Sequence, residues 1–584
     1  MSHSHLDCFS RALLLALLVF SLDWITPQAV DAASRAPAYS RNGMVVASQA
    51  DATRAGVEML EAGGNAIDAA VASAFAVGVT QPFSTGLGGG AFILIRLADG
   101  EVVAIDGRET APGAADRDMY VRPGVAEDAS LYGALAVGTP GMLAGLALAL
   151  ERYGTMTLAE VMAPAIRLAR DGFAISSYHI GMMDWKRPRI EGRFPETMRI
   201  HYPPDGLVLE PGWRLIQLDL AHTLTQIAER GPDAFYGGKI AEAIVARVQE
   251  GGGLITLEDL STYTPKIREA VHGSYRGYDI YSFPPPSSGG VALIETLNIL
   301  EGIDLASYGP GSSASIHRIV EAMKFAFADR AAHLGDADFI EVPVARLTDK
   351  DYAAKLRARI NPPWWRRAPW HWNQPERAIT LKGPGLPQND SGTAHLSTTD
   401  AAGNAVSITG TINTLYGSGI TVPGTGIVLN NEMDDFAKAP YAPNIWGLID
   451  TFGRNAIAPY KRPLSSMTPT IVTKDGRTVF VTGSPGGPRI ISTVLLTIIN
   501  FLDYGMDVQQ AVSTPRVHHQ WVPDKLRVEA AVPDDVVEAL RARGHDVDVS
   551  DWNWSVAEAI AIDPETGWHT GGSDPRSQGL ALGP

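Results

Sequence analysis

Antiparallel sheets covered by helices, an α+β layering, are predicted for this chain by three observations. Strand-like segments turn back on themselves through short loops, one helix-like run is apolar on nearly all sides, and long helical stretches separate the hairpins. In chain order, Asp51 to Glu61 reads as a helix that Gly63-Gly64 breaks. Asn65 then caps the run Ala66 to Val79, whose all-round apolarity marks it as buried. Gly86-Leu87-Gly88-Gly89-Gly90 leads into Ala91–Leu97, the Asp99-Gly100 turn and Glu101 to Asp106, a hairpin. The pattern recurs at Thr393–Thr399 with Ala405–Thr411, and at Pro469–Thr473 with Thr478–Thr482 around Asp475-Gly476. Helices are expected near Ser315–Leu334 and Arg489–Leu502. Between them, Asn361 to Asn389 holds six prolines and the cluster Trp364, Trp365, Arg366, Arg367, Trp370 and Trp372. Regular structure cannot run through such a segment; it reads as a linker, whose cluster is either a partner or membrane-surface contact or a loop packing its tryptophans locally.

At 584 residues the chain exceeds the roughly 250 to 300 residues of a single ordinary core, so it holds several domains or one oversized layered one. Hydrophobic residues at 45% and charged residues at 19% are those of a globular protein. A net charge of −16 without a basic run excludes nucleic acid as a partner class. Arg11 followed by the apolar stretch Ala12–Leu22 and then by Val30-Asp31-Ala32 reads as a secretory signal over residues 1–32. The stretch is short for a bilayer span, so no stable membrane anchor is expected and the chain is assigned to the periplasm or the exterior. Cys8 is the only cysteine, so the exported chain has no disulfide, thiol nucleophile or cysteine metal site.

Ser391-Gly392-Thr393 closes the linker, and Thr393 and His395 share one face of the strand that follows. Alone, a Gly-Thr pair at a strand start is ordinary. It stands, however, among Gly86-Leu87-Gly88-Gly89-Gly90, Asp106-Gly107-Arg108-Glu109-Thr110-Ala111-Pro112, Thr409-Gly410-Thr411-Ile412-Asn413 and Asn430-Asn431-Glu432-Met433-Asp434-Asp435-Phe436. Arg462-Pro463-Leu464-Ser465-Ser466-Met467, Gly483-Ser484-Pro485-Gly486-Gly487 and Ser573-Asp574-Pro575-Arg576 follow in order. This ordered set resembles the γ-glutamyltransferase (γ-glutamyltranspeptidase) family over nearly the whole chain after the signal.

The resemblance implies an N-terminal-nucleophile hydrolase fold, a four-layer αββα sandwich. It also implies a precursor that cuts itself before Thr393 into a large subunit, 33–392, and a small subunit, 393–584. Both would form one intertwined unit. A threonine hydroxyl is a weak nucleophile, and a freed α-amine with a pKa near 7.7 to 8.0 is a base suited to activate it. Gly392 has no side chain to obstruct the earlier attack on its own carbonyl. By the resemblance, Thr411 supports the hydroxyl of Thr393. Gly486 and Gly487, between a strand and a helix start, offer amides to an oxyanion, although a plain strand-to-helix turn has the same look. Arg108, Ser465 and Ser466 match the family's contacts to the substrate carboxylate. Asn413, Glu432 and Asp435 match those around the substrate amine, while Glu432 and Asp435 alone could be a solvated acidic turn. Trp446 sits in a Pro- and Gly-rich loop that lids the pocket in family members that have one. The implied donors are glutathione and related γ-glutamyl amides, the acceptors water, amino acids or dipeptides, with no metal and no cofactor. Two other readings stay open: an acylase using the same nucleophile on glutaryl amides, and a processed but inactive binding protein.

Overall fold

A computed structural model describes residues 35–204, 207–360, 392–550 and 554–584. The fold is that of Pro37–Pro584. The signal-like segment before Ala33 and the Trp-rich linker lie outside the described residues. No described helix is long and apolar enough to cross a membrane.

Two seven-stranded antiparallel sheets carry the architecture. The first runs Leu580–Leu582, Gly43–Ala47, Gly392–Asp400, Ala405–Asn413, Gly90–Arg96, Val102–Gly107, Lys266–Arg268. The second runs Ala38–Ser40, His569–Ser573, Glu558–Ile562, Arg477–Gly483, Thr470–Lys474, Tyr278–Ser282, Val271–Tyr275. Strand alternation sorts the first sheet's side chains. Val45, Ala47, Ile93, Ile95, Ile105, Leu396 and Ile408 join one apolar core with helices Ala50–Glu61, Ala66–Thr80 and Met142–Tyr153. Met44, Val46, Phe92 and Leu94 point the other way and join a core with Ile471, Phe480, Val481 and Ile560 of the second sheet. Helices Gly289–Glu301, Ser313–His333 and Arg489–Leu502 complete that side. The result is the four-layer αββα sandwich expected, and each predicted hairpin is present.

The Ala66–Thr80 helix shows why the local sequence forms its element. Asn65 accepts from the amides of Ile67 and Asp68 while Asp68 accepts from the Asn65 amide, a reciprocal cap. Asp68 is fully buried but satisfied, taking in addition the amides of Thr155 (2.9 Å) and Met156 (3.0 Å).

Between the sheets the packing changes character along the strand that opens with Thr393. His395, Ser397 and Thr399 on this strand and Ser407 and Thr409 on its partner are buried polar residues. They satisfy one another: His395 bonds Thr409 through Nδ1 (2.9 Å) and Ser397 through Nε2 (3.1 Å), and Ser407 Oγ donates to the Thr482 carbonyl (3.0 Å). Burial pushes the His395 imidazole down to about 3, so it is neutral at working pH and braces the strand instead of acting as a base. The second sheet comes so near that a Cβ on Gly483 would lie 2.2 Å from the His395 ring.

Candidate active site

The hairpin of Gly392–Asp400 with Ala405–Asn413 fixes the first two groups. Its turn is held by Asp400, whose Oδ1 takes the amides of Ala402, Gly403 and Asn404, each at 3.0 Å, with Gly403 at φ 101°. That register sets Thr393 opposite Thr411. Their hydroxyls are 2.9 Å apart, and Thr411 Oγ1 donates to the Gly392 carbonyl (2.9 Å) while accepting from the Asn413 amide (2.8 Å). A single hydroxyl therefore touches both the attacking oxygen and the carbonyl it would attack. Gly392 has to be glycine for a further reason, since a Cβ there would lie 2.1 Å from the Thr414 carbonyl oxygen.

Asn413 ends the second strand in the left-handed region, φ 73°, which turns its side chain toward the acidic turn. Its Nδ2 donates to the Asn431 carbonyl (2.9 Å), and its Oδ1 accepts from the indole of Trp446 (2.9 Å). The same indole N–H reaches Asp435 Oδ1 (3.0 Å), so Trp446 spans two of the expected substrate contacts. It also lies over Gly487, where a Cβ would stand 2.5 Å from the ring.

Arg108 leaves the strand Val102–Gly107 and is 1% exposed. Its two terminal nitrogens pair with Glu432 and with Asp435, its Nε donates to the Pro463 carbonyl (3.2 Å), and Glu109 lies 3.7 Å away. The sequence reading put Arg108 and the two acids at opposite ends of a ligand; in the structure they hold each other. Burial pushes the Arg108 guanidinium down, but Glu432, Asp435 and Glu109 together hold it above its ordinary range. Burial raises the three carboxyls, Glu109 to about 7, against the pull of Arg108. Three acids around one cation leave acceptors for a further cationic group, whose arrival would draw them toward the charged form.

Ser465 and Ser466 are presented by the loop after Pro463, with the Ser465 amide on the Pro286 carbonyl (2.8 Å) and its Oγ accepting from Met467 (3.1 Å). Among the described residues, Ser466 Oγ is buried without a partner. Gly486 and Gly487 have φ of 133° and 59° and precede the helix Arg489–Leu502; among the described residues neither amide donates a hydrogen bond. Arg108, Thr393, Thr411, Asn413, Glu432, Asp435, Ser465, Ser466 and Gly487 line a single cavity with Trp446. Gly486 does not line it and packs on Ser555 instead, a Cβ there lying 2.1 Å from its hydroxyl. The cavity measures about 20 Å³, room for a water or two, with the Trp446 ring forming part of its wall.

Two residues here escaped the sequence reading. Glu109 was visible beside Arg108 but carried no signal of its own. Arg330, which lines a neighbouring cavity with Asp435, lies far away in the chain. A cluster with metal-ligand chemistry, His317, Glu321 and His545, brings its atoms within 4.8 Å of one another, and none of the three lines the Thr393 cavity. Lys324 is already 2.9 Å from Glu321, and burial aided by Arg543, Arg318 and Lys324 drives His317 down to about 3. Lowering keeps the imidazole in its neutral, ligating form, but the cationic side chains of Lys324, Arg318 and Arg543 disfavour a metal cation there.

If Thr411 supports both steps, Thr411→Val, which keeps shape and removes the hydroxyl, is expected to slow chain scission on the order of a hundredfold, the usual loss for one transition-state donor. A time course of the purified precursor on denaturing gels checks this; scission at the wild-type rate refutes it.

Comparison with known proteins gives one family. The model of the family described as "Gamma-glutamyltranspeptidase" matches residues 52–583. The chain is 45% identical over 544 residues to the glutathione hydrolase proenzyme of Escherichia coli (strain K12), covering 93% of this chain and 91% of the relative. It is 42% identical over 557 residues to the acylase ACY 1 proenzyme of Pseudomonas sp. (strain SE83), covering 94% of each. Among solved structures, a cephalosporin acylase from Bacillus halodurans superposes with a TM-score of 0.83 at 30% identity, covering 96% of this chain and 99% of that one.

Proposed function

This chain belongs to the γ-glutamyltranspeptidase family, and on that premise we propose that it is a γ-glutamyl hydrolase and transpeptidase working through an ester on Thr393. The observation that carries the reading is the contact of the Thr393 hydroxyl with Thr411, itself bonded to the Gly392 carbonyl, at the edge of a cavity holding Arg108 and two acids.

In the precursor, Thr393 Oγ1 attacks the Gly392 carbonyl carbon while the Thr411 hydroxyl polarises its oxygen. The C–N bond breaks, the nitrogen becomes the α-amine of Thr393, and water hydrolyses the resulting ester. The products are the large subunit, 33–392, and the small subunit, 393–584. In turnover the α-amine takes the Thr393 hydroxyl proton as the oxygen attacks the γ-carbonyl carbon of the donor. The amide of Gly487, which lines the cavity, receives the negative oxygen, with that of Gly486 joining it only if the turn brings it to the cavity wall; the amine of the donor leaves with a proton, and water or an acceptor amine then releases the γ-glutamyl group. Arg108, Ser465 and Ser466 bind the donor's α-carboxylate, and Asn413, Glu432 and Asp435 bind its ammonium. Glutathione is the proposed donor, in keeping with relatives named for its hydrolysis. The signal-like residues 1–32 assign the protein to the periplasm or the exterior.

The relatives named acylase make glutaryl-type amides the second reading. Two acids beside Arg108 favour a donor that carries an amine. Turnover of a chromogenic γ-glutamyl anilide against its glutaryl analogue decides between the two.

Because the base is the α-amine of Thr393, kcat/KM is expected to climb as pH rises through about 8 and then level off, unaffected by chelator. A pH–rate profile with and without a metal chelator checks this. A rate abolished by chelator and restored by a metal ion refutes it.

A further inference from the structure

Behind the Thr393 cavity lies a second one of about 10 Å³, room for about one water molecule. Asp435 of the acidic turn, Asn444, Leu448 and Asp450 of the loop around Trp446, and Arg330 line it. Arg330 belongs to the last turn of helix Ser313–His333 and is 4% exposed. Among the described residues its guanidinium makes one hydrogen bond, from Nε to Ser288 Oγ (2.9 Å), and no ion pair. A buried cation so lightly held is costly unless other charges face it. Burial lowers it to about 10, and Asp435 and Asp450 pull it back, so it stays charged at neutral pH.

Its connections reach three parts of the site. Ser288 donates its hydroxyl (2.7 Å) and its amide (2.8 Å) to the Ser465 carbonyl. The neighbouring Ala331 carbonyl takes the amide (3.0 Å) and hydroxyl (2.9 Å) of Thr451, where the Trp446 loop returns. Asp435 meets Arg330 across the small cavity. The other groups facing Asp435 are Arg108, the acids Glu109, Glu432 and Asp434, and the Trp446 indole. Lys438 is taken by Asp434, at 2.8 Å. A donor carboxylate draws Arg108 away, which leaves Arg330 as the cation facing Asp435 from the protein side.

We propose that Arg330 is a positioning residue for γ-glutamyl donors: it keeps Asp435 ionised for the substrate ammonium once Arg108 has turned to the carboxylate, and through Ser288 it fixes Ser465. This rests on the γ-glutamyl reading above. Burial already raises Asp435, so loss of Arg330 raises it further and more of the carboxyl is protonated at a given pH.

The test is steady-state kinetics of wild type, Arg330→Gln, Arg330→Lys and Ser288→Ala on a γ-glutamyl anilide across pH, each checked first for subunit maturation. Arg330→Gln is expected to raise KM roughly tenfold with kcat within about threefold, and to add a second proton to the acid limb of kcat/KM, steepening it below the range of the α-amine as Asp435 is protonated. Arg330→Lys should bring both back most of the way, and Ser288→Ala should raise KM a few-fold without steepening the acid limb. Should Arg330→Gln fail to mature, Arg330→His decides, its KM being expected to rise as pH climbs through the imidazole range and the cation is lost. Unchanged KM and acid limb in every matured variant, or loss of kcat alone, overturns the proposal. A wild-type enzyme inert toward the anilide overturns the functional reading and the proposal with it.

Discussion

Thr393→Ala is expected to remain one uncut chain and to lose turnover by a factor on the order of 10⁴ or more, the scale seen when a nucleophile is removed. Its fold should be unchanged, because Thr393 is buried with its hydroxyl toward Thr411 and alanine removes atoms without adding any. The stability cost is that of one lost hydrogen bond, about 1 kcal/mol. Denaturing gels show the single chain, thermal melting shows the intact fold, and an anilide assay shows the lost rate. Scission of the alanine variant at the same bond in purified form would remove Thr393 as the agent of its own release.

The second large effect concerns the acids. A glutaryl amide is expected to be turned over at least a hundredfold less efficiently than the γ-glutamyl amide. On the proposed binding mode its carboxylate, like that of the natural donor, would take Arg108 from the Glu432 and Asp435 that hold it in the free site. It brings no ammonium in return, so Glu432 is left without its cation and Asp435 keeps only Arg330, across the small cavity. Removing one member of a buried ionic set costs about 3 to 5 kcal/mol. Burial holds both acids above the usual carboxylate range, so protonation of one softens the loss to the lower end. Asp435→Asn should harm the γ-glutamyl amide far more than the glutaryl one and narrow the gap. Equal kcat/KM for the two amides on wild-type enzyme would move the assignment to the acylase reading.

Hairpins and the buried helix were legible in the sequence because their causes are local. Asp475 and Gly476 take φ of 50° and 72°, as an Asp-Gly turn implies. Ends were less legible. The first helix begins at Ala50 under a Gln49 cap, a residue type that does not announce a helix start, and the long helix begins at Ser313, capped by Ser312, two residues before Ser315. Strands such as Lys266–Arg268 and Leu580–Leu582 are too short to show a period. The candidate site residues came from their motifs, and every one but Gly486 lines the Thr393 cavity. What the motifs left out was pairing. That Arg108 closes on Glu432 and Asp435, that Trp446 bridges Asn413 to Asp435, and that Arg330 stands behind them all depend on segments far apart in the chain. Nor does alternation of apolar residues reveal an interior strip that is polar, as at His395, Ser397 and Ser407.

The order of strands has a consequence for how long the enzyme lasts. Gly43–Ala47 lies between Leu580–Leu582 and Gly392–Asp400, and Thr470–Lys474 lies beside Tyr278–Ser282, so segments from either side of the Gly392-Thr393 bond are laced through both sheets. Once that bond is cut, the two pieces have no covalent tie, and the chain that folded as one molecule would have to find its partner by collision to fold again. On the proposed cleavage the working protein would have no way back: its durability would be set by the height of the barrier to opening rather than by the balance between folded and unfolded forms.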